Sequence, residues 1–386
     1  MTTNRADFLV FGSPYIGEEE IGEVVASMRA SWLGTGPKVQ RFQEEFRQYR
    51  GAVHAVAVNS CTAALHLSLI ASNLKAGDEV ITTAMTFCAT VNTIIHAGAT
   101  PVLADIDPCT MNLSPEEVER RITPRTRGLI PVHMAGRPCD MDALMALAHR
   151  HRLVVIEDCA HAIETTYHGR PAGTFGDFGC FSFYATKNLS TGEGGMILVA
   201  EAERAERLRR LALHGLSADA WQRFSDAGYK HYYAVEPGFK YNMMDLQAAI
   251  GLHQLPRIEP FLRRREEVWH RYDAAFAGLP VGLPTPAEPD TRHARHLYTL
   301  RIDPRQCGLE RDEFLGRMSS HGIGVGVHYV SIPAHPFYRK AYGWRPEDFP
   351  HADRLGRETV SLPLSAKLTD ADVSRVIDAV RQSLKP

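Results

Sequence analysis

The amino-acid sequence predicts an α/β protein whose mostly parallel central sheet is covered by helices. Between residues 50 and 200, short apolar runs alternate with segments that carry helix signals, which is typical of strand–helix–strand units. Runs such as VVIE and GLIPV are apolar on both faces, as expected for parallel strands covered on each side. The seven predicted strands cover residues 53–58, 79–83, 101–106, 129–133, 153–157, 180–184 and 196–199.

Helix signals lie between these apolar runs. Ser114 is followed by Pro115 and two glutamates, which is a capped helix start with proline at the first helical position. Residues 140–150 carry methionines, leucines and an alanine on one helical stripe. Helices between the runs are what parallel strands need, because each parallel connection must cross one face of the sheet.

The character of the sequence changes near residue 255. A long charged helix is predicted at residues 258–276, and a stretch rich in proline and glycine follows it at 278–290. A strand at 297–302, a helix from Glu310, a strand at 324–329 and a helix at 370–384 complete the chain. We therefore expect a large α/β domain at residues 1–255 and a smaller α+β domain at residues 256–386.

Composition and charge argue against several classes of function. A formal net charge of -2 over 386 residues gives no field that would attract nucleic acid or an anionic membrane. No apolar run approaches the ~18 residues of a membrane span, and the start of the chain lacks the layout of a signal peptide. The seven cysteines have no C-x-x-C spacing, and the scattered histidines indicate no metal site. We expect a cytoplasmic protein with reduced thiols.

Lys187 lies in the most informative segment, CFSFYATKNLSTGEGGM, which runs from residue 180 to residue 196. An exposed lysine has a pKa of ~10.4 and is a poor nucleophile, so a lysine that forms imines needs a site that favours the neutral amine. A turn behind an apolar strand, next to glycines that let backbone approach a ligand, provides such a site. The alternative for a lysine considered by itself is a solvated residue in a surface loop.

Asp158 follows a strand that is apolar throughout, so its carboxylate is expected at the carboxyl edge of the sheet, where ligands of α/β proteins bind. A carboxylate there can pair with the pyridinium nitrogen of pyridoxal phosphate. An imine-forming lysine served by such a carboxylate is what an enzyme with this cofactor needs. Asp158 could equally cap the turn that follows at residues 159–163.

A phosphate site is predicted where the first strand meets the next helix. Residues 59–65 follow that strand and open an apolar helix, whose first amides can bind phosphate. Ser182 adds a hydroxyl group on the same side, although simple helix capping is an alternative for this cluster. Phe87 follows the second strand and could cover an aromatic ring, or it could pack in the core.

These residues belong to sequence blocks that resemble the DegT/DnrJ/StrS-type sugar aminotransferases. The resemblance implies a pyridoxal phosphate enzyme of the aspartate aminotransferase fold, fold type I, and a homodimer with shared active sites. The likeness is greatest to aminotransferases of nucleotide-linked 4-keto-sugars, such as those that make UDP-4-amino-4-deoxy-L-arabinose. The blocks are PYIGEEEI, SWLGTGPKVQRFQEEF, NSCTAALHLSL, GDEVITTAMTF, GATPVLADID, PVHMAGRPCDMD, IEDCAHA, FSFYATKNLSTGEGG, GFKYNMMDLQAAIG and GIGVGVHY.

The resemblance also implies roles for residues around the cofactor. Lys187 is similar to the lysine that forms the internal aldimine and moves the proton, and Asp158 to the partner of the pyridine nitrogen. Phe87 takes the place of the aromatic residue stacked on the ring. His161 falls where the family has a glutamine or histidine near the ring hydroxyl, with a satisfied core histidine as the alternative. The residues that match the phosphate cup are Thr62, Ala63 and Ser182.

Other matches concern the partner subunit and the substrate. The block GFKYN stands where many relatives have G-Y-N-Y-R, so Lys240 could replace the asparagine that reaches the phosphate across the dimer, or Asn242 could serve instead. His328 and Tyr329 resemble positions that face the sugar nucleotide, and Trp32 and Thr35 lie in the entry block of the family pattern, SWLGTGPKVQRFQEEF.

The function implied is transfer of an amino group from L-glutamate to a nucleotide-linked ketosugar, by a ping-pong reaction through pyridoxamine phosphate. The ketosugar is expected to be a 4-keto-6-deoxyhexose or a 4-keto-pentose, with a 3-keto-sugar as the alternative. Related sugar dehydratases have a histidine in place of the lysine, so Lys187 argues against that reading. The remaining alternatives are an amino-acid lyase and a non-catalytic regulatory protein that binds the cofactor.

Overall fold

The central feature of the fold is a seven-stranded sheet, seen in a computed structural model that describes residues 8–217 and 231–385. Its strand order is β1-β9-β8-β5-β4-β2-β3. The seven strands are β1 (His54–Val58), β2 (Glu79–Thr83), β3 (Thr100–Ala104), β4 (Thr126–Ile130), β5 (Val154–Asp158), β8 (Phe178–Ser182) and β9 (Gly195–Val199). The shorter strands are β6 (Thr166–Tyr167), β7 (Arg170–Pro171), β10 (Thr291–Arg292), β11 (Tyr298–Arg301) and β12 (Thr359–Leu362).

The strand directions determine which side chains can meet. Strand β9 is antiparallel to both of its neighbours, β1 and β8, and the remaining pairs are parallel. The carboxyl ends of β1, β2, β4, β5 and β8 therefore share one edge of the sheet, which is the edge where ligands bind in α/β folds.

Helices cover the sheet and continue into the C-terminal part of the chain. The predicted helix cap at Ser114 is confirmed, because its hydroxyl accepts the Glu117 amide, and the Asp140 carboxylate also caps a helix by accepting the Ala143 amide. The helices are α1 (Glu18–Arg29), α2 (Pro37–Arg50), α3 (Cys61–Ala71), α4 (Cys88–His96), α5 (Pro115–Arg121), α6 (Met141–His151), α7 (Ala202–Ala212), α8 (Asp245–Gln254), α9 (Ile258–Phe276), α10 (Pro304–Cys307), α11 (Arg311–Ser320), α12 (Pro336–Tyr342), α13 (Pro350–Glu358) and α14 (Asp370–Ser383).

Among the apolar clusters that stabilise this arrangement, one holds helix α3 on the central sheet and another forms the core of the C-terminal part. Helix α3 is buried along most of its length and packs on the middle of the central sheet, which holds the N-terminal end of the helix at the carboxyl edge. A second core joins α9, α11 and α14 to the antiparallel pair β11–β12. The predicted α/β fold class is confirmed, while a domain boundary at residue 255 stays a prediction.

The prediction of a strand at residues 324–329 is wrong. Gly326 forms only an isolated bridge with Ser361, and Ile323 forms another with Leu9. A Cβ atom on Gly324 would lie 2.9 Å from the Phe11 amide, so these glycines let the N-terminal segment approach too closely for a regular ladder. Strand β12, which pairs with β11, was not predicted.

The helices and the cysteines bear on the sequence predictions about membrane spans and thiols. No helix in residues 8–217 and 231–385 has the length and apolar character needed to cross a membrane. All seven cysteines lie in these ranges, and each has a free thiol.

Candidate active site

A cavity of about 530 Å³ opens at the carboxyl edge of the sheet. It is bordered by the start of α3, the segment after β2, the end of β5 and the turn after β8. Strand ends that share an edge bring these segments together although they are far apart in the chain. The predicted site residues that line it are Thr62, Phe87, Asp158, His161, Ser182, Lys187, His328 and Tyr329.

Lys187 lies in the turn that follows β8. The turn is closed by the Lys187 amide, which donates to the carbonyl oxygen of Tyr184 at 2.9 Å. Burial lowers the pKa of Lys187 to about 8, although the negative charge of Asp158 opposes this shift. A substantial fraction of the amine is therefore neutral near physiological pH, and the neutral amine is the form that attacks a carbonyl group.

Asp158, the last residue of β5, is 4% exposed. One of its carboxylate oxygens accepts the Thr90 hydroxyl at 2.9 Å, and the other accepts the Ala160 amide at 3.1 Å. Burial raises the pKa of Asp158, while the Ala160 and Thr90 hydrogen bonds and the charge on Lys187 lower it. The hydrogen bond from the Ala160 amide caps a turn. The capping alternative therefore accounts for one carboxylate oxygen of Asp158 and does not exclude binding of a ligand in the cavity.

The start of α3 forms a cradle of backbone amides. Ser60 accepts the Ala63 amide with its side chain and the Ala64 amide with its carbonyl oxygen. Within the described residues, the amides of Cys61 and Thr62 have no hydrogen-bond acceptor. Gly195 lies directly against this start, and a Cβ atom there would be 2.6 Å from the Ser60 carbonyl carbon. Two unpaired amides at a helix N-terminus suit a phosphate group.

Phe87 and Tyr329 form the aromatic wall of the cavity. Phe87 is 56% exposed, and its ring centroid lies 5.8 Å from that of Tyr329. An exposed aromatic side chain that lines a cavity can cover the face of a bound ring. This position disfavours the core-packing alternative for Phe87.

His161 is held by protein groups on both ring nitrogens. Its Nδ1 accepts the Ala135 amide at 3.2 Å, so the proton must lie on Nε2, which donates to the Tyr329 hydroxyl at 3.0 Å. Burial, with the charge on Lys187, keeps the pKa of His161 well below its ordinary value. His161 is therefore neutral, and any contact with a cofactor hydroxyl must displace or pass through the Tyr329 hydroxyl.

These groups together fit pyridoxal phosphate. A buried carboxylate, two unpaired helix amides, an aromatic face and a lysine of lowered pKa border one cavity, and each matches one part of the cofactor. The carboxylate suits the ring nitrogen, the amides suit the phosphate group and the amine suits the aldehyde.

The other predicted residues do not line this cavity. Thr35 donates its hydroxyl to the Met243 carbonyl oxygen and accepts the Asn242 side-chain amide at 2.7 Å. The Trp32 indole donates to the Thr35 carbonyl oxygen, and Lys240 is exposed. Ala63 is buried beside the cavity, with its amide bonded to Ser60.

Several cavity residues were not predicted. Thr86 and Thr90 are four residues apart, share a hydrogen bond of 2.9 Å and connect the cavity wall to Asp158. That spacing was visible in the sequence, but its partner on β5 was not. The other cavity residues missed by sequence reasoning include Tyr184, Thr186 and Glu193.

Comparison with known proteins identifies the family. A model of the DegT/DnrJ/EryC1/StrS aminotransferase family matches residues 14–381. The chain belongs to this family. This aminotransferase is 50% identical over 387 residues to the spore coat polysaccharide biosynthesis protein SpsC of Bacillus subtilis (strain 168), a match that covers 100% of the chain and 99% of SpsC.

Solved structures of related aminotransferases have the same fold. Spr1654 of Streptococcus pneumoniae, described as a sugar aminotransferase, has a TM-score of 0.91 in its PMP-form, at 34% identity over 97% of this chain and 99% of that one. Its PLP-form has a TM-score of 0.90 at 33% identity, with 98% of each chain covered. PseC of Helicobacter pylori, an aminotransferase of pseudoaminic acid biosynthesis, has a TM-score of 0.90 at 25% identity, covering 98% and 99%. The predicted class, a pyridoxal phosphate-dependent sugar aminotransferase, is confirmed.

Proposed function

We propose that this aminotransferase transfers an amino group from L-glutamate to the carbonyl group of a nucleotide-linked ketosugar in a ping-pong reaction. The observation that carries the proposal is the pairing of Lys187, with its lowered pKa, and the buried Asp158 in one cavity. A 4-keto-6-deoxyhexose or a 4-keto-pentose is the proposed acceptor, with a 3-keto-sugar as the alternative. The relatives SpsC and PseC serve polysaccharide and pseudoaminic acid biosynthesis, which supports a sugar acceptor.

The proposed role of Lys187 is to hold the cofactor and then to move a proton. When bound, pyridoxal phosphate supplies an electron sink for the carbon that loses or gains that proton. Lys187 lies in a turn on the wall of the cavity, and its pKa of about 8 lets the amine both accept and release a proton near neutral pH. Asp158 would hold the ring nitrogen of the cofactor, and its negative charge would favour a protonated nitrogen there.

The remaining roles in the cofactor site follow from contacts. The amides of Cys61 and Thr62, with the Ser182 hydroxyl nearby, are proposed to bind the phosphate group. Phe87 is proposed to cover the ring. His161 is proposed to act on the ring hydroxyl through or in place of Tyr329, because the two side chains are hydrogen-bonded.

We further propose that the active protein is a homodimer with shared sites, located in the cytoplasm. The side chains of Lys240 and Asn242 lie outside the cavity of their own chain. In the proposed dimer they would reach the cofactor site of the second copy. His328 borders the cavity and is proposed to face the sugar nucleotide. Trp32 and Thr35 are proposed to contact the substrate, and the chain is proposed to divide near residue 255.

The experiment that tests the proposal uses each half of the reaction separately. L-Glutamate alone should bleach the visible absorbance of the loaded protein and release 2-oxoglutarate in a single turnover. A panel of 4-keto- and 3-keto-sugar nucleotides should then restore the absorbance, fastest with the true acceptor. An unchanged spectrum with glutamate and with other amino acids would contradict the proposal and favour a regulatory protein that binds the cofactor.

A further inference from the structure

Asn188, the residue after Lys187, makes three hydrogen bonds to parts of the chain far away in sequence. Its side-chain amide donates to Glu164 at 2.9 Å and to the carbonyl oxygen of Ala294 at 3.0 Å. The side-chain oxygen of Asn188 lies 2.9 Å from Nδ1 of His296, within hydrogen-bonding distance. The turn that presents Lys187 is therefore bonded to two separate backbone segments, one at Glu164 and one at residues 294–296.

The hydrogen-bonding partners of Asn188 determine which way its side-chain amide is oriented. Glu164 and the Ala294 carbonyl can only accept, so the Asn188 amide nitrogen must face them and its oxygen must face His296. His296 therefore carries its proton on Nδ1 and donates it to Asn188. Burial keeps the pKa of His296 well below its ordinary value, which agrees with a neutral ring.

The network around Asn188 includes a buried ion pair with a residue of helix α9. Glu164 is fully buried, and its other carboxylate oxygen is bonded to Arg265, which is 2% exposed and also donates to the Ala294 carbonyl oxygen. The Nε of Arg265 is buried without a hydrogen-bond partner among the described residues, but the ion pair is rigid, because separating either partner would leave a buried charge unpaired. Asn188 is attached to this rigid pair, while Lys187 beside it borders the cavity.

We propose that Asn188 is a positioning residue that holds the amine of Lys187 inside the cavity through its bonds to Glu164 and His296. The role of Asn188 is distinct from that of Asp158, which borders the same cavity. Without these bonds the turn can rotate, and the amine can reach water, where its charged form is favoured. The inference rests on the proposed role of Lys187, but the position of the amine can be measured without any turnover.

The test measures the pKa of Lys187 in cofactor-free protein. Acetylation by acetic anhydride is followed across pH by peptide mass spectrometry, with the exposed Lys75 as internal reference. The charged and titratable groups around Lys187 are Cys61, Asp158, His161, His296 and His328. Asn188→Ala should raise the pKa of Lys187 by at least one unit, so that labelling near neutral pH falls about tenfold.

A matched control variant distinguishes misplacement of the Lys187 amine from a general loss of protein stability. Asn112 is buried and also makes three side-chain hydrogen bonds, to Met134, Arg137 and Pro138. Asn112→Ala should lower the melting temperature and leave the pKa of Lys187 unchanged.

The bond from His296 offers a rescue experiment. His296→Ala should raise the pKa of Lys187, whereas His296→Asn keeps a donor near the Nδ1 position and should return it toward the wild-type value. Asn188→Ser is the second variant at position 188 if Asn188→Ala does not fold.

The inference is overturned if Asn188→Ala, Asn188→Ser and His296→Ala all leave the pKa of Lys187 within the range of the Asn112→Ala control. Its failure is distinguishable from failure of the proposed function, which is judged on wild-type protein. If glutamate converts the wild-type protein but the variants label normally, only the positioning role of Asn188 is wrong.

Discussion

The turn that carries Lys187 and the segment at residues 238–242 were both predicted to serve the same cofactor, yet they lie in different surroundings. Lys187 borders the cavity, and burial lowers its pKa to about 8. Lys240 is exposed, and Asn242 donates to Thr35 outside the cavity. The comparison teaches that surroundings, rather than residue type, separate a reactive lysine from an ordinary one.

Sheet topology accounts for this difference. Lys187 follows β8, an inner strand whose carboxyl end faces the same edge as that of β5. The segment at residues 238–242 instead runs beside β1, one of the two edge strands, where the carbonyl oxygen of Tyr241 accepts the Asn59 amide at 2.7 Å. Within this segment Lys240 is exposed, whereas Phe239 and Tyr241 pack against the core, so Lys240 is the side chain that the proposed homodimer would offer to a second copy.

The largest expected effect comes from removing the amine of Lys187. Lys187→Ala should slow 2-oxoglutarate release from glutamate by at least ~10³-fold, since both cofactor attachment and proton transfer are lost. Lys240→Ala is the control and should retain most of this half-reaction. Equal losses in the two variants would remove the distinction between the two lysines.

The charge of Asp158 should have the next largest effect. Asp158→Asn keeps the shape of the side chain but removes the negative charge beside the ring nitrogen, and kcat should fall by roughly 10²–10³-fold. Borohydride should still attach the cofactor to Lys187 in this variant. A kcat close to that of the wild-type protein would show that the carboxylate does not serve the ring.

The lowered pKa of Lys187 predicts a pH dependence for cofactor attachment. Only the neutral amine attacks, so the rate at which pyridoxal phosphate attaches to cofactor-free protein should rise with pH and level off above about 8. Two units below that pKa, the rate should be about a hundredfold below the plateau. Stopped-flow absorbance measures this rate, and a rise continuing to pH ~10 would indicate an exposed lysine.

Thr90 should have a smaller effect through Asp158. Its hydroxyl bond favours the charged carboxylate, so Thr90→Val should raise the pKa of Asp158 and move the acid limb of the kcat profile to higher pH. The loss of kcat should be about tenfold, as for a hydrogen bond to a charged group. Thr93→Val is the matched control on the same helix, because its hydroxyl bonds only to a backbone carbonyl.

The smallest effect within one chain is expected at Asn242. Asn242→Ala should weaken cofactor binding severalfold and leave the acetylation pKa of Lys187 unchanged, since the residue does not line the cavity of its own chain. In mixed dimers of Lys187→Ala and Asn242→Ala subunits, the working site combines a wild-type Lys187 with a wild-type Asn242, so this site should gain wild-type affinity for the cofactor compared with Asn242→Ala dimers. No gain after subunit exchange would argue against shared sites.

The parts of the site that the sequence predicted are those built from short local patterns. The Asp158 strand end, the helix start after β1 and the Lys187 turn can each be recognised within a few residues, and the sheet edge brings them together. Thr90 and Asp158 are 68 residues apart, and no local pattern predicts that their side chains meet. The same limit applies to Asn188 and its partners on other segments.

Errors in the predicted fold have a similar origin. The alternation in GIGVGV indicated a strand, but its glycines permit close approach of the N-terminal segment, which only the tertiary structure reveals. The strand at Thr359–Leu362 was missed because it follows helix α13 directly, without a glycine or proline to mark the boundary.

The most direct test of the account is to map where the cofactor is attached. Loaded wild-type protein is reduced with borohydride, digested and analysed by peptide mass spectrometry. The account predicts one stoichiometric adduct on Lys187, absent in Lys187→Ala, with Lys240 unmodified. An adduct on any other lysine, or cofactor that leaves the protein after reduction, would contradict the central claim that Lys187 holds the cofactor.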